Sequence, residues 1–177
     1  MTGVELNSDG DNKYVMMESG KTLYRNIESS SEINSGKYRV SWYVRPKDTE
    51  GNCVIQLQPD SGDYSIPIQC YKGEIFIYER DTKYVVSNYV AGEWYEISAV
   101  LNFDEKNISV RVSNNGNVLG SVREKPMYLV DMARPSDDHG YMDKLALIRF
   151  PCWYSGGYDI DNLKIESISK LTDSDLM

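Results

Sequence analysis

A single histidine, His139, bounds the acid–base and metal chemistry open to this 177-residue chain. A histidine-rich metal site is excluded, and any Ser-His-Asp or Cys-His arrangement would have to run through that one residue. It stands in Arg134-Pro-Ser-Asp-Asp-His-Gly140, a polar stretch of turn residues, and no G-x-S-x-G accompanies it, so it reads as a solvated loop histidine. The cysteines, Cys53, Cys70 and Cys152, lack C-x-x-C spacing, which removes zinc and thioredoxin-like redox chemistry. Carboxylates are abundant but poorly spaced for paired work. Glu74 and Glu79 have an odd separation and face opposite sides of a strand, whereas Asp159 and Asp161 share a face. With 19 Lys and Arg against 27 Asp and Glu, the net charge of −8 sets the bulk electrostatics against nucleic acid and anionic lipid. A local basic patch is all that could reverse that sign.

The elements that must position these residues are strands. Tyr38-Arg-Val-Ser-Trp-Tyr-Val-Arg45 alternates Tyr38, Val40, Trp42 and Val44 with Arg39, Ser41, Tyr43 and Arg45, the pattern of a half-buried strand. The same period predicts strands near 13–18, 21–27, 37–45, 53–58, 64–71, 74–79, 83–88, 93–103, 106–113, 117–123, 143–150 and 158–168, separated by Gly, Asn, Asp and Ser clusters. No segment carries an apolar stripe at helical spacing over three turns. A hairpin around Pro59-Asp-Ser-Gly-Asp63 would set Leu57 against Ile66, Ile55 against Ile68 and Cys53 against Cys70, all on one face. Two buried thiols or a cross-strand disulfide both satisfy that register, the latter implying an oxidising compartment. The length suits one domain, 41% hydrophobic and 26% charged composition is globular, and runs such as Ile75 to Tyr78 are too short to cross a bilayer. About a dozen strands in one domain predict an all-β antiparallel sandwich, with 1–11 as an N-terminal segment, 12–168 as the domain and 169–177 as a linker-like tail.

Three pieces, in order, resemble bacterial jelly-roll modules of the concanavalin A-like or laminin G-like kind. Ser35-Gly-Lys-Tyr-Arg-Val-Ser-Trp-Tyr-Val-Arg-Pro46 is similar to their G-x-Y-x-x-S-F-x-V-K strand. Ala91-Gly-Glu-Trp-Tyr-Glu-Ile-Ser-Ala-Val-Leu-Asn-Phe-Asp104, leading into Asn107-Ile-Ser-Val-Arg-Val-Ser-Asn-Asn-Gly116, resembles their G-x-W-Y hairpin. Gly157-Tyr-Asp-Ile-Asp-Asn-Leu-Lys-Ile-Glu166 looks like the closing Y-I-D-N strand of many carbohydrate-binding modules. The resemblance implies a jelly roll that binds a polysaccharide as an appendage of a secreted bacterial enzyme, a monomer covalently joined to neighbouring domains, with no nucleic acid and no membrane insertion. It brings two alternatives on the same fold: a polysaccharide lyase or glycoside hydrolase, and a structural or adhesive laminin G-like module. The E-x-D-x-E of retaining glycosidases on this fold is absent from the sequence. No signal-peptide pattern precedes the first strand, which leaves a cytoplasmic protein or a domain of a longer, extracellular chain; the linker-like end favours the second.

The resemblance also implies a structural calcium tying the first strand to the last. Asp161 matches the closing-strand ligand, and Glu5 is the partner expected among Glu5, Asp9 and Asp11. Sugar recognition needs aromatic planes and planar polar groups. With Val40, Val44, Ile55, Leu57, Val110 and Val112 inward, Arg39, Tyr43, Arg45, Gln56, Gln58, Gln69 and Arg111 point outward and would line a groove if they share the concave sheet. The arginines would suit carboxylated glycans. Trp153, with Tyr154 beside it in a Gly-rich loop, is the expected stacking platform, while Trp42 reads as core and Trp94 is open.

Overall fold

The computed structural model describes residues 4–9, 12–27, 33–60, 62–133, 139–153 and 156–168; side chains are described from Tyr14 onward. These residues form fourteen strands: β1 (Val4–Asp9), β2 (Asn12–Met17), β3 (Lys21–Asn26), β4 (Lys37–Pro46), β5 (Cys53–Gln58), β6 (Tyr64–Tyr71), β7 (Glu74–Glu79), β8 (Thr82–Asn88), β9 (Tyr95–Asn102), β10 (Asn107–Asn114), β11 (Asn117–Pro126), β12 (Val130–Asp131), β13 (Leu147–Cys152) and β14 (Tyr158–Ser167). Sheet I runs β1-β2-β14-β4-β9-β10-β11, and sheet II runs β3-β13-β5-β6-β7-β8, with β12 added on β6. Every strand pairing is antiparallel. The all-β sandwich read from the period-two pattern is therefore the fold.

The β5–β6 hairpin has the register derived above, with Cys53 opposite Cys70, Ile55 opposite Ile68 and Leu57 opposite Ile66. Three details differ from the sequence reading. β1 falls inside the stretch taken as an N-terminal segment and pairs with β2. β13 starts later than expected and carries on through Pro151 and Cys152. The long stretch after Pro126 is pinned by β12 and by an isolated bridge between Tyr128 and Tyr141. Two-residue pairings like these leave no periodicity to read.

The inner faces supply the core. Val40, Trp42, Val44, Ile97, Leu101, Val110 and Val112 from sheet I are packed in one cluster with Ile55, Leu57, Ile66, Ile68, Ile75, Ile77, Ile148 and Phe150 from sheet II. Burying each such side chain contributes about 1.5–3 kcal/mol. At one edge the sheets touch: a Cβ placed on Gly120 of β11 would lie 1.9 Å from the backbone carbonyl oxygen of Val86 in β8. A side chain there would push the edges apart.

The core also holds a polar link. Tyr158, fully buried on β14 in sheet I, places its hydroxyl 2.9 Å from the carbonyl oxygen of Pro151 and 3.2 Å from that of Val54, both in sheet II. Burial pushes the Tyr158 phenol well up from its ordinary value, and the nearby Cys53, Cys152 and Cys70 act in the same direction. All three cysteines are buried thiols, none of them in a disulfide. Desolvation and a hydrogen bond with Cys70 raise the Cys53 thiol.

Two outcomes are expected. Tyr158→Phe removes the one hydroxyl proton shared between two strand carbonyls across the core and should cost about 1–3 kcal/mol in urea denaturation, with strand content unchanged by circular dichroism. Because the folded state keeps Tyr158 and Cys53 protonated, their contribution is complete below the unfolded values near 8.5 and 10 and is lost as pH rises past them. The melting temperature should hold to about pH 8 and fall between roughly pH 9 and 11. A flat profile across that window would contradict the buried, neutral phenol.

Candidate functional site

The structure separates the residues expected to share one groove. Arg39, Tyr43 and Arg45 on β4 and Arg111 on β10 lie on the outer face of sheet I, because Val40, Val44, Val110 and Val112 take the inward positions. Gln56 and Gln58 on β5 and Gln69 on β6 lie on the outer face of sheet II. Both sets point outward, but from opposite sides of the sandwich, so they cannot line one groove.

Several of these side chains are also occupied. The Arg45 guanidinium pairs with Asp159 at 2.8 Å, Lys47 approaches the other carboxylate oxygen at 3.4 Å, and Asp159 is 1% exposed. The same guanidinium lies 4.8 Å from the ring centres of both Tyr14 and Trp94. Burial works against the Arg45 charge, but the hydrogen bond and charge of Asp159 outweigh it and raise its pKa. Arg45 thus ties β4 to β14, with its guanidinium packed against the Tyr14 and Trp94 rings. Gln56 and Gln58 are buried: Gln58 donates to the Gly62 carbonyl at 2.7 Å, and Gln56 donates to Ser65 Oγ at 3.3 Å beneath Met132.

Tyr43 stands between Asp161 of β14 and Glu96 of β9, and its phenol is raised by desolvation, then by Glu96 and Asp161. With Trp94 and Asn162 it borders an open depression of about 260 Å³. Asp161 accepts from the Asn162 backbone amide at 2.7 Å. Glu5 pairs with Met16, which pairs with Asp159, so its backbone is in line with Asp159 rather than Asp161; its side chain lies outside the described residues. Among the described residues no three His, Cys, Asp or Glu converge as a metal site. Tyr154 also lies outside the described residues. His139 stacks on Tyr64, ring centres 3.9 Å apart.

The larger groove, about 310 Å³, is on the outer face of sheet II. Pro67 and Gln69 of β6 and Phe76 and Tyr78 of β7 floor it; Glu50, Asn52 and Tyr71 line it along with Val130 and Met132 from the β12 region. Asn52 donates to Gln69 Oε1 at 3.4 Å, and its own Oδ1 is buried without a hydrogen-bond partner among the described residues. Lys83 lies over the Phe76 ring at 4.2 Å and pairs with Glu74. Beside the groove, Tyr24, Arg149 and Gln56 form one row across β3, β13 and β5, and Pro67 follows on β6. Trp153, 40% exposed, flanks Arg149 at the end of β13. Of the expected residues, Gln69 lines this groove, while Gln56 and Trp153 lie in or beside the neighbouring row. Phe76, Tyr78, Asn52, Tyr24 and Arg149 were missed, although the alternation of Ile75 and Ile77 with Phe76 and Tyr78 already placed two aromatic rings on an outer face.

Similar folds are found among solved structures. The chain is a jelly roll. A sialidase matches with a TM-score of 0.60 and 16% identity over 96% of this chain, which spans 16% of the sialidase's length. The binding domain of botulinum neurotoxin DC in complex with SialylT matches with a TM-score of 0.57 and 13% identity, covering 98% of this chain and 43% of that one. A Caenorhabditis elegans galectin matches with a TM-score of 0.51 and 11% identity, covering 85% and 94% of the two chains. At such identities the likeness is one of fold. No protein-family model matches the chain, and no curated protein does.

The Arg45 network sits apart from the groove, and this separation is testable. Arg45→Met would leave Asp159 buried with Lys47 alone and should cost about 1.5–3 kcal/mol in denaturant unfolding. Ligand affinity measured below the new melting point should stay within twofold of the parent chain.

Proposed function

We propose that this chain is a non-catalytic carbohydrate-binding module whose ligand lies across the outer face of sheet II. The observation that carries the reading is the groove of about 310 Å³ in which Phe76, Tyr78 and Tyr71 line the same wall as Gln69 and Asn52. A pyranose offers an apolar C–H face to an aromatic ring and hydroxyls to planar amide groups, and this surface supplies both. The named similarity to a galectin, and to a toxin binding domain in complex with SialylT, supports the same ligand class. In this reading the chain is an extracellular bacterial module, monomeric and joined to an enzyme that it holds on its polysaccharide.

The ligand set differs from the one the sequence suggested. Gln69 stays, Tyr78 and Asn52 join it, and Arg39, Arg45 and Arg111 belong to the opposite sheet. Calcium stays in the proposal as a structural ion near Asp161. It predicts a melting temperature raised by millimolar calcium and lowered by chelator, and equal melting curves would remove the ion from the account.

Affinity gel electrophoresis and calorimetry against a panel of soluble plant and microbial polysaccharides test the main reading. Tyr78→Ala and Gln69→Ala should each weaken binding by roughly 2–12-fold without changing the fold, since one stacking contact or hydrogen bond is worth about 0.5–1.5 kcal/mol. Absence of binding across the panel, with or without calcium, would overturn the proposal. Release of reducing ends or unsaturated products from the same panel would instead favour a hydrolase or lyase.

A further inference from the structure

Arg149 has a different environment from Arg45. It is half-buried on the outer face of β13, and among the described residues its buried Nε has no hydrogen-bond partner and no carboxylate pairs with it. In a chain whose acidic residues outnumber its basic ones by 27 to 19, a partly desolvated guanidinium with no counter-charge is notable. Its near neighbours are aromatic: the Tyr24 ring centre is 5.6 Å away and the Trp153 ring centre 5.9 Å away. Those rings recover part of the desolvation cost and hold the guanidinium in place, yet they supply no negative charge.

The same rings are open to solvent, Tyr24 at 54% and Trp153 at 40%. A planar five-donor fork between two exposed aromatic faces can bind a carboxylate in bidentate fashion while the ring that carries it lies against an aromatic plane. A lone guanidinium matches one delocalised negative charge better than the double charge of a phosphate monoester. The row Tyr24–Arg149–Gln56–Pro67 ends on the floor of the groove, so one sugar unit in the groove places a neighbouring unit within reach of Arg149.

We infer that Arg149, flanked by Tyr24 and Trp153, is a carboxylate-reading subsite, and that the glycan is a sugar acid polymer or a glycan capped by a sugar acid. This rests on the carbohydrate-binding reading of the sheet II face. A uronic acid and a sialic acid present the same carboxylate, and the experiment separates them.

The test is calorimetry on the whole chain with two matched pairs: oligogalacturonate against its carboxyl-reduced form, and sialyllactose against lactose. One carboxylated member should bind at least about tenfold tighter than its neutral partner, the scale of a charge-assisted bidentate contact. The pair that shows the preference names the sugar acid. In Arg149→Gln the preference of the carboxylated over the neutral member should vanish. Arg149→Lys, which keeps the charge and loses the fork, should retain binding with a reduced preference, and it serves if the glutamine variant does not fold. Equal binding of both members of both pairs, with neutral binding still weakened by Tyr78→Ala, would overturn the subsite and leave the groove standing. Silence of all four probes and of the wider polysaccharide panel would overturn both.

Discussion

Two consecutive residues, Tyr158 and Asp159, fix β14 from both of its faces. Tyr158 points inward and its hydroxyl meets the carbonyls of Pro151 and Val54, so a strand of sheet I is hydrogen-bonded through the core to backbone of β13 and β5 in sheet II. Asp159 points the other way and is covered by Arg45 and Lys47, with Arg45 held between Tyr14 and Trp94. Apolar attraction is non-directional, whereas a hydrogen bond across the core has direction and one register. β13 and β5 are also the strands that carry Arg149 and Gln56 outward. The link that ties the sheets together therefore sets the strand heights on which the proposed ligand face depends.

The alternation of apolar and polar residues made the strands, their inner faces and the β5–β6 register readable, because all of these depend on neighbours in sequence. Assignment of strands to sheets does not. β4 is followed in the chain by β5, yet β4 lies between β14 and β9 while β5 lies between β13 and β6. Parity says that Arg45 and Gln56 both face outward and is silent on which side of the molecule each faces. That is why a set with correct orientations did not form one site.

The same limit explains the arginines. Arg45 and Arg149 look alike in sequence, each at an outward position of an alternating strand. Their difference comes from long-range pairing: β14 brings Asp159 beside Arg45, and β3 brings Tyr24 beside Arg149. A charge already matched by a buried carboxylate holds the fold, and one flanked by aromatic rings alone is free for an external anion. Trp94 and Trp153 divide in the same way, the first half-buried against Arg45 and the second exposed beside Arg149.

Net charge and local charge then act over different distances. At physiological salt the field of the whole chain is screened within about 8 Å, so its −8 excess slows the approach of an anionic polymer more than it weakens contacts already made. A bidentate guanidinium–carboxylate contact forms at about 2.8 Å, inside that screening length and partly shielded from water by Tyr24 and Trp153. Added salt would relieve the long-range repulsion and leave the short-range contact less affected, so affinity for an acidic glycan should fall little or rise with ionic strength. A surface that binds anions through a broad basic patch behaves in the opposite sense, losing affinity steadily as salt competes. The acidic bulk and an arginine that no carboxylate pairs with among the described residues are thus compatible, the first setting how fast an anionic ligand would arrive and the second which ligand would stay.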